Sequence, residues 1–173
     1  MKQRWALLLD LDQTLVFTEA LQSLRDHRQW IEIHKYHHLT SLPGYTKAFL
    51  DRVRPHFELG VVTASPRRYA EGLVDYHGLN IKVLTAYHDT KQHKPDPDPL
   101  FHASKQLGIL PARCVHIGDH AKDVAAASQA HMVSIALSWD GSLDLHAISK
   151  YSYTLCANWN EVITCLRGII TER

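Results

Sequence analysis

The sequence predicts an α/β fold: a doubly wound, mostly parallel sheet with helices on both faces. Short apolar runs, typical of strands buried in a parallel sheet, alternate along the chain with amphipathic or alanine-rich helical stretches. Several of these runs end directly in polar or acidic residues, the first at Asp10. Because ligands of open α/β sheets bind at the carboxyl ends of the strands, function is expected at these positions.

The individual elements follow from apolar periodicity and from turn residues. The predicted strands are 5–9, 57–63, 81–84, 114–118, 132–137 and, more weakly, 153–156. The predicted helices are 45–54, 66–77, 100–107, 121–129, 143–149 and 160–167, and segment 18–38 is interpreted as mainly helical. Pro66 suits the first turn of its helix, and Gly78 and Gly108 suit helix ends. Three prolines make 93–99 a stiff loop.

Length and composition favour one globular domain over residues 1–173, with a short helical insert at about 17–42. The chain is 45% hydrophobic and 21% charged. Its formal net charge of +1 does not favour nucleic acid or a membrane as partner. The apolar start is interrupted at Asp10 before it could form a signal peptide, and no apolar stretch is long enough to span a bilayer. Three cysteines without a CxxC pair favour a reduced, cytoplasmic setting.

Four polar clusters are predicted to meet at the carboxyl edge of the sheet. They are Asp10 and Asp12, Thr63 and Ser65 with Ala64 between them, Lys94, and Gly118-Asp119 with Asp123. A carboxylate nucleophile can attack phosphorus and form an aspartyl-phosphate, provided that cations offset its repulsion from the phosphate. Lys94 supplies one positive charge, and Mg²⁺ held by Asp10 and Asp119 would supply more.

The remaining residues of the clusters fit the same chemistry. Asp12 is placed to protonate the leaving oxygen and then to deprotonate water. Thr63 and the backbone amides around Ala64 are expected to bind phosphate oxygens. Taken singly, each cluster has a structural interpretation as a turn, a helix cap or a solvated surface residue. Their joint occurrence at strand ends is what favours a phosphate site.

These motifs resemble those of the haloacid dehalogenase (HAD) superfamily of phosphatases. Its DxDxT motif is matched by residues 10–14, its threonine by Thr63, its lysine by Lys94 and its GDxxxD motif by residues 118–123. Residues 42–45, 94–97 and 125–127 are similar to the phosphoglycolate-phosphatase-like branch. Two positions depart from the pattern: Gln13 stands where glycine is frequent, and His120 where serine or threonine is common.

The resemblance implies a Rossmann-like HAD fold and a role for each matched residue. Asp10 would be the nucleophile and Asp12 the general acid/base. Mg²⁺ would be bound by Asp10, Asp119 and the backbone carbonyl of Asp12, with Asp123 and Gly118 in support. The intervals between motifs leave no room for a large cap domain, so an open site is expected, for a phosphorylated small molecule or macromolecule.

Two other functions stay open at this point. One is a catalytically weak HAD-fold binding or regulatory subunit, since His120 and the minimal cap depart from the pattern. The other is action on nucleic-acid ends, with Arg25, Arg28 and Lys35 as a basic lip, although the net charge does not support it. Dehalogenation and phosphomutase chemistry are disfavoured. The sequence decides neither the substrate nor whether the chain forms an oligomer.

Overall fold

The computed structural model describes residues 4–171 and contains a six-stranded parallel sheet. Its strands are β1 (Trp5–Leu9), β2 (Phe57–Val62), β3 (Val83–Thr85), β4 (Cys114–Gly118), β5 (Val133–Leu137) and β6 (Thr154–Cys156). They lie in the order β3-β2-β1-β4-β5-β6, and every pairing is parallel. The chain builds outward from β1 to β3 and then returns to place β4 on the other side of β1. The predicted fold class is therefore confirmed.

Seven α-helices are found among the described residues. They are α1 (Gln22–Asp26), α2 (Thr46–Val53), α3 (Arg67–Tyr76), α4 (Asp98–Leu107), α5 (Ala121–Gln129), α6 (Leu145–Ile148) and α7 (Trp159–Thr171). Leu7 and Leu9 of β1 pack in one apolar cluster with α2, α3 and α7, whereas Ala6 and Leu8 pack in another with α4 and α5. The alternation of side chains along a strand thus explains why both faces of β1 are apolar.

The segment that connects β1 to α2 is mainly helical, as the sequence predicts for residues 18–38, but its helices are short and two of the three are 3₁₀ helices. It contains a 3₁₀ helix at Glu19–Leu21, the five-residue α1, turns, and a second 3₁₀ helix at Ile33–Leu39. Leu21 and Ile33 are fully buried in the larger core cluster. We call residues 17–42 the insert. Because two buried side chains fix its path over the sheet, tertiary packing replaces continuous helix formation here.

Several other element boundaries differ from the sequence prediction, and three of these differences have a clear physical reason. β3 begins at Val83 rather than at residue 81, because its extent is set by the backbone of β2, with which it pairs from Gly60 onward. α4 begins at Asp98 rather than at residue 100, since Pro99 in a first turn has no amide proton to satisfy. The helix predicted at 143–149 is reduced to α6, whose N-terminus is capped by Asp144.

None of the helices of residues 4–171 combines the length and the apolar character that a membrane span requires.

The insert is fastened to α3 by close packing of two histidines on Gly72. A Cβ atom at position 72 would lie 2.6 Å from His37 Cε1 and 3.0 Å from His34 Nδ1. His37 is only 7% exposed, and burial, aided by His34, lowers its pKa. The rings of His37 and Tyr76 also meet edge to face, with centroids 5.8 Å apart. Glycine at this position therefore permits a close approach of the insert.

Replacing Gly72 by alanine is expected to destabilise the protein, although alanine favours a helix interior by about 1 kcal/mol over glycine. The added methyl group would overlap a buried ring, and overpacking of this kind costs about 1–3 kcal/mol. We expect a net loss of up to about 2 kcal/mol in the free energy of unfolding, measured by urea denaturation. Gly168→Ala in α7 is the matched control, because its added Cβ would meet no atom within 4 Å. Equal stability of the two variants would contradict the close-packing argument.

Candidate active site

The first acidic cluster lies at the point where the strand order of the sheet reverses. β1 pairs with β2 on one side and β4 on the other. The backbone N–H of Asp10 donates to Ile117 O at 2.9 Å, so the parallel pairing extends one residue beyond β1. Crevices between strand ends at such a switch point are where open α/β sheets bind ligands. Asp10 and Gly118-Asp119 are thereby brought to the same edge.

Lys94 reaches this edge from the proline-rich loop and contacts two carboxylates. Its Nζ donates to Asp10 Oδ1 at 2.7 Å, to Asp123 Oδ1 at 2.5 Å and to Val62 O at 3.0 Å. The three protons of the ammonium group are all engaged, and the side chain is only 6% exposed. Burial lowers the pKa of Lys94, but the two carboxylates outweigh this and hold that pKa above its ordinary value. Lys94 is therefore a fixed positive charge.

Asp123 is the most tightly enclosed acid of the site. Its Oδ1 lies 3.1 Å from His116 Nε2, and the other ring nitrogen of His116 lies 3.1 Å from Leu8 O. Gly118 permits this arrangement, because a Cβ there would lie 2.6 Å from Asp123 Oδ2 and closer still to its Cγ. Burial raises the pKa of Asp123, yet Lys94 and His116 outweigh it and hold the pKa well below its ordinary value.

Asp10, Asp119 and Asp123 form a cluster suited to a hard cation. Ligand atoms from the three carboxylates all lie within 4.8 Å of one another, and no other such group of three occurs among residues 4–171. Burial raises the pKa of Asp10 well above its usual value; Lys94 opposes this, while Asp123 and Asp119 add to it. Burial and then Asp123 raise the pKa of Asp119 to about 6. Three acids against one lysine leave an excess negative charge that a divalent cation would neutralise.

Asp119 and His120 are held by contacts that the sequence motif does not reveal. Thr14 Oγ1 donates to Asp119 Oδ1 at 2.8 Å. His120 is the N-cap of α5: its Nδ1 accepts from Lys122 N, while its own N–H donates to Asp123 Oδ2. Serine or threonine at position 120 would cap the helix through a hydroxyl, and here an imidazole nitrogen does so. The departure at His120 thus leaves both the cap and the hydrogen bond to Asp119 in place.

Gln13, the other departure from the motif, has a left-handed backbone. Its φ is 62°, a conformation that glycine adopts without cost and other residues rarely adopt. Two hydrogen bonds hold it there: its N–H donates to Val16 O, and Trp139 Nε1 donates to its carbonyl at 2.8 Å. The preference for glycine at this position therefore reflects the backbone conformation, and in this chain the two hydrogen bonds stabilise that conformation at Gln13.

Thr63, Ala64 and Ser65 form the second wall of the site, after β2. Thr63 N–H donates to Thr85 O at 2.9 Å, and Thr63 Oγ1 accepts from Ser65 N at 3.1 Å. Thr63 and Ser65 are buried whereas Ala64 is exposed. The Thr63 hydroxyl thus fixes the turn that leads into α3, and Ala64 is the residue of this turn open to solvent.

Asp12 is enclosed by four side chains, of which the sequence indicates Ser65 and Arg25 near the site but not Thr18 or Tyr69. Its Oδ1 accepts from Thr18 Oγ1 at 2.9 Å and from Tyr69 OH at 2.6 Å, and lies 3.1 Å from Arg25 Nη1. Its Oδ2 accepts from Ser65 Oγ at 2.8 Å. Ser65 lies just before α3 and Tyr69 lies in its first turn. Nothing in the sequence indicates that Asp12 would meet Tyr69.

These residues surround an open cleft of about 400 Å³. The lining residues are Asp10, Asp12, Gln13, Gln22, Arg25, Asp26, Trp30, Thr63, Ala64, Ser65, Asp119 and His120. Arg25 is the only residue of the predicted basic lip among them. Lys35 instead pairs with Glu32 at 2.6 Å. The cleft rim thus has one cation from the insert, and that cation contacts Asp12.

The structure brings together the residues of all four predicted polar clusters, whereas Arg28 and Lys35 of the predicted basic lip do not line the cleft. Asp10, Asp12, Thr63, Ala64 and Asp119 line the cleft. Lys94 and Asp123 lie beneath Asp10, with Gly118 packed against Asp123. Their chemical roles, and the backbone carbonyl of Asp12 as a metal ligand, stay predictions. The sequence indicates no role for Thr18, Tyr69 or His116, and Thr14 is known from it only as a member of the motif at residues 10–14.

The chain belongs to the haloacid dehalogenase-like hydrolase family, whose model matches residues 18–137. That range includes Thr63, Lys94 and the Gly118–Asp123 motif, and it begins after Asp10 and Asp12.

Two curated relatives illustrate the similarity. A plasmid-encoded phosphoglycolate phosphatase of Cupriavidus necator is 40% identical over 90 residues, which cover 51% of this chain and 39% of that protein. An N-acetylmuramic acid 6-phosphate phosphatase of Pseudomonas aeruginosa is 37% identical over 82 residues, which cover 46% of this chain and 36% of that protein. The chain therefore spans less than half the length of these two relatives.

Solved structures confirm the fold. A HAD phosphatase from Thermococcus onnurineus superposes with a TM-score of 0.80 at 19% identity, covering 95% of this chain and 98% of that one. A predicted phosphoglycolate phosphatase from Haemophilus somnus gives a TM-score of 0.79 at 15% identity, covering 96% and 99% respectively. In agreement with the sequence prediction, the described residues of our chain include no large cap domain.

Proposed function

We propose that this chain hydrolyses phosphomonoesters through an aspartyl-phosphate intermediate on Asp10. One observation carries the proposal: the Asp10 carboxylate lines an open cleft, contacts the buried ammonium group of Lys94, and lies within a cluster of three carboxylates. Membership of a hydrolase family supports it. So do the relatives described above as phosphatases.

Asp10, Asp119 and Asp123 would hold Mg²⁺, and oxygen donors of this kind suit that ion. When bound, the ion would neutralise negative charge that the phosphate and the acids bring together. Lys94 contributes a second, permanent positive charge beside the nucleophile. Together these charges allow the carboxylate of Asp10 to approach an anionic phosphate.

The reaction would proceed in two steps. A carboxylate oxygen of Asp10 bonds to phosphorus while the bond from phosphorus to the leaving oxygen breaks, and Asp12 gives its proton to that oxygen. Asp12 then takes a proton from water as the water oxygen bonds to phosphorus and the bond between phosphorus and the Asp10 oxygen breaks. Inorganic phosphate leaves, and both aspartates return to their initial states. Thr63 and the turn at Ala64 would bind phosphate oxygens during both steps.

The open cleft sets the expected substrate class. No structure over the cleft is found among the described residues beyond the insert, so the leaving group is free to extend into solvent. We propose a phosphorylated small molecule or an accessible phosphorylated macromolecule as substrate. Nucleic-acid ends gain no support, since Arg25 is the only arginine or lysine among the described residues that line the cleft, and it already contacts Asp12. No observation favours a purely regulatory module, because all four motifs converge.

The proposal predicts magnesium-dependent phosphate release that Asp10→Asn abolishes. Asparagine keeps the size and one oxygen of the side chain but is not a nucleophilic carboxylate, so we expect kcat/KM to fall by at least about 10³-fold. Phosphate release is measured on a panel of sugar phosphates, nucleotides, nucleic-acid ends, phosphopeptides and p-nitrophenyl phosphate, with Mg²⁺ or with EDTA. Asp75→Asn, an exposed position on α3, is the control. Full activity in Asp10→Asn would refute the mechanism.

A further inference from the structure

The carboxylate of Asp12 has an asymmetric environment. Oδ1 is contacted by three groups, from Thr18, Tyr69 and Arg25. Among the described residues, Oδ2 is contacted by a single donor, the hydroxyl of Ser65. Each carboxylate oxygen has two lone pairs in its plane, so Oδ1 is saturated whereas Oδ2 has capacity for one more partner. Oδ2 can therefore contact a further group, whereas Oδ1 cannot.

Two of the three groups on Oδ1 depend on the insert. Thr18 and Arg25 belong to it, and Arg25 Nη1 also donates to Thr18 Oγ1 at 3.0 Å. The guanidinium carbon of Arg25 lies 5.8 Å from the centre of the Tyr69 ring. Trp30, another insert residue, meets the same ring edge to face, with centroids 5.5 Å apart. The insert thus covers Tyr69 and delivers a positive charge to Asp12.

Tyr69 is suited to hold Asp12 because it is a permanent donor. Its side chain is fully buried. Burial, followed by the negative charge of Asp12, holds the pKa of Tyr69 far above its ordinary value. The hydroxyl therefore keeps its proton and donates to Oδ1 at 2.6 Å. A donor with this short contact fixes the rotation of the carboxylate.

We infer that Arg25 and Tyr69 are positioning residues that anchor Asp12 through Oδ1, so that Oδ2 is the oxygen that exchanges the proton. The inference rests on the proposed function, in which Asp12 is the general acid/base. The insert then has a role other than covering the substrate, because it orients the carboxylate of Asp12 in the site. The reacting proton passes from Asp12 Oδ2 to the leaving oxygen, and later from water to Oδ2.

The test compares two substrates that differ mainly in the basicity of the leaving group. Phenyl phosphate needs a proton on its leaving oxygen far more than p-nitrophenyl phosphate does. In Arg25→Gln, kcat/KM for phenyl phosphate should fall by at least about 10-fold, a part of the 10²–10⁴-fold that acid–base catalysis contributes. For p-nitrophenyl phosphate it should fall by less than about 3-fold by the same reasoning. The ratio kcat/KM reports the first chemical step, so slow dephosphorylation does not mask the difference.

A second variant and a charge-matched control complete the experiment. Tyr69→Phe removes only the hydroxyl and should change the two substrates in the same unequal way. Arg28→Gln removes the same charge from the insert at a residue that does not line the cleft, and it should leave the ratio between substrates unchanged. Thermal unfolding of all variants shows whether the fold is retained.

The outcomes separate the inference from the proposed function. A wild type that hydrolyses both esters, combined with equal losses on them in Arg25→Gln and Tyr69→Phe, would overturn the positioning role alone. A wild type that hydrolyses neither ester, nor any member of the wider panel, would overturn the proposed function and the inference with it. Selective loss on phenyl phosphate in both variants supports the inference.

Discussion

Replacing Lys94 by methionine is expected to abolish phosphatase activity and to destabilise the fold. Methionine fills a similar volume but leaves Asp10 and Asp123 without the cation that contacts both. Removing one partner of a buried ion pair typically costs about 3–5 kcal/mol, because the remaining charge is uncompensated. Loss of a fixed charge beside the reacting group typically reduces kcat by about 10²–10³-fold. Both effects come from a single ammonium group.

The stability loss in Lys94→Met should depend on pH with a definite sign. Without Lys94, the pKa of Asp10 rises further above its value in the unfolded chain, and the pKa of Asp123, which Lys94 holds low, rises as well. A carboxyl group whose folded pKa is higher in the variant than in the wild type makes the variant relatively less stable as pH increases from the lower of these two pKa values to the higher. The difference in free energy of unfolding between wild type and variant should therefore grow from pH 5 to pH 8. Urea denaturation in EDTA measures it without competition from metal ions.

Lys91→Met is the matched control for this experiment. Lys91 lies in the same loop, three residues before Lys94, and is exposed. Its replacement should alter the free energy of unfolding by less than about 0.5 kcal/mol, as is usual for surface positions. A Lys94→Met variant with the stability and kcat/KM of Lys91→Met would show that the lysine is dispensable.

Replacing Gly118 by alanine is expected to disrupt the site through Asp123. An added Cβ would lie 2.6 Å from Asp123 Oδ2 and closer still to Asp123 Cγ. Asp123 itself is only 3% exposed. The carboxylate would be displaced from Lys94, His116 and the backbone of His120 together. Loss of such supporting contacts typically weakens metal affinity or activity by 10–100-fold. We expect a similar rise in the Mg²⁺ concentration needed for half-maximal activity.

A double-mutant cycle shows whether the effect passes through Asp123. Asp123→Ala removes the atoms that the new methyl group would meet, so adding Gly118→Ala to it should cost little more. Kinetics in a Mg²⁺ titration and thermal unfolding are measured for the two single variants and the double variant. Costs that simply add would indicate that Gly118 acts independently of Asp123. Gly44→Ala, whose Cβ would meet no atom within 4 Å, is the control.

Much of the site can be predicted from the sequence because its residues end strands of a parallel sheet. Asp10 and Asp119 directly follow β1 and β4, and parallel strands that pair bring their carboxyl ends to one edge. The alternation of apolar runs and helical stretches determines that architecture without knowledge of the strand order. The family motifs then identify which polar residues belong together.

The partners of Asp12 could not be predicted, because they come from elements that have no fixed offset from β1. The position of α3 brings Tyr69 to Asp12, and the path of the insert brings Arg25 to Asp12. The sequence predicts Arg25, Arg28 and Lys35 as equivalent members of a basic lip. Packing of Leu21 and Ile33 into the core places only Arg25 in the cleft.

The sequence by itself thus determined the fold class and the motif residues that meet at the carboxyl edge of the sheet. The tertiary structure alone decided how these residues are paired: Lys94 with Asp10 and Asp123, Thr14 with Asp119, and Arg25 and Tyr69 with Asp12. The physical reason is the separation along the chain of the residues that interact. Strand formation is readable from local periodicity, whereas a hydrogen bond between residues far apart in the chain depends on how several elements pack.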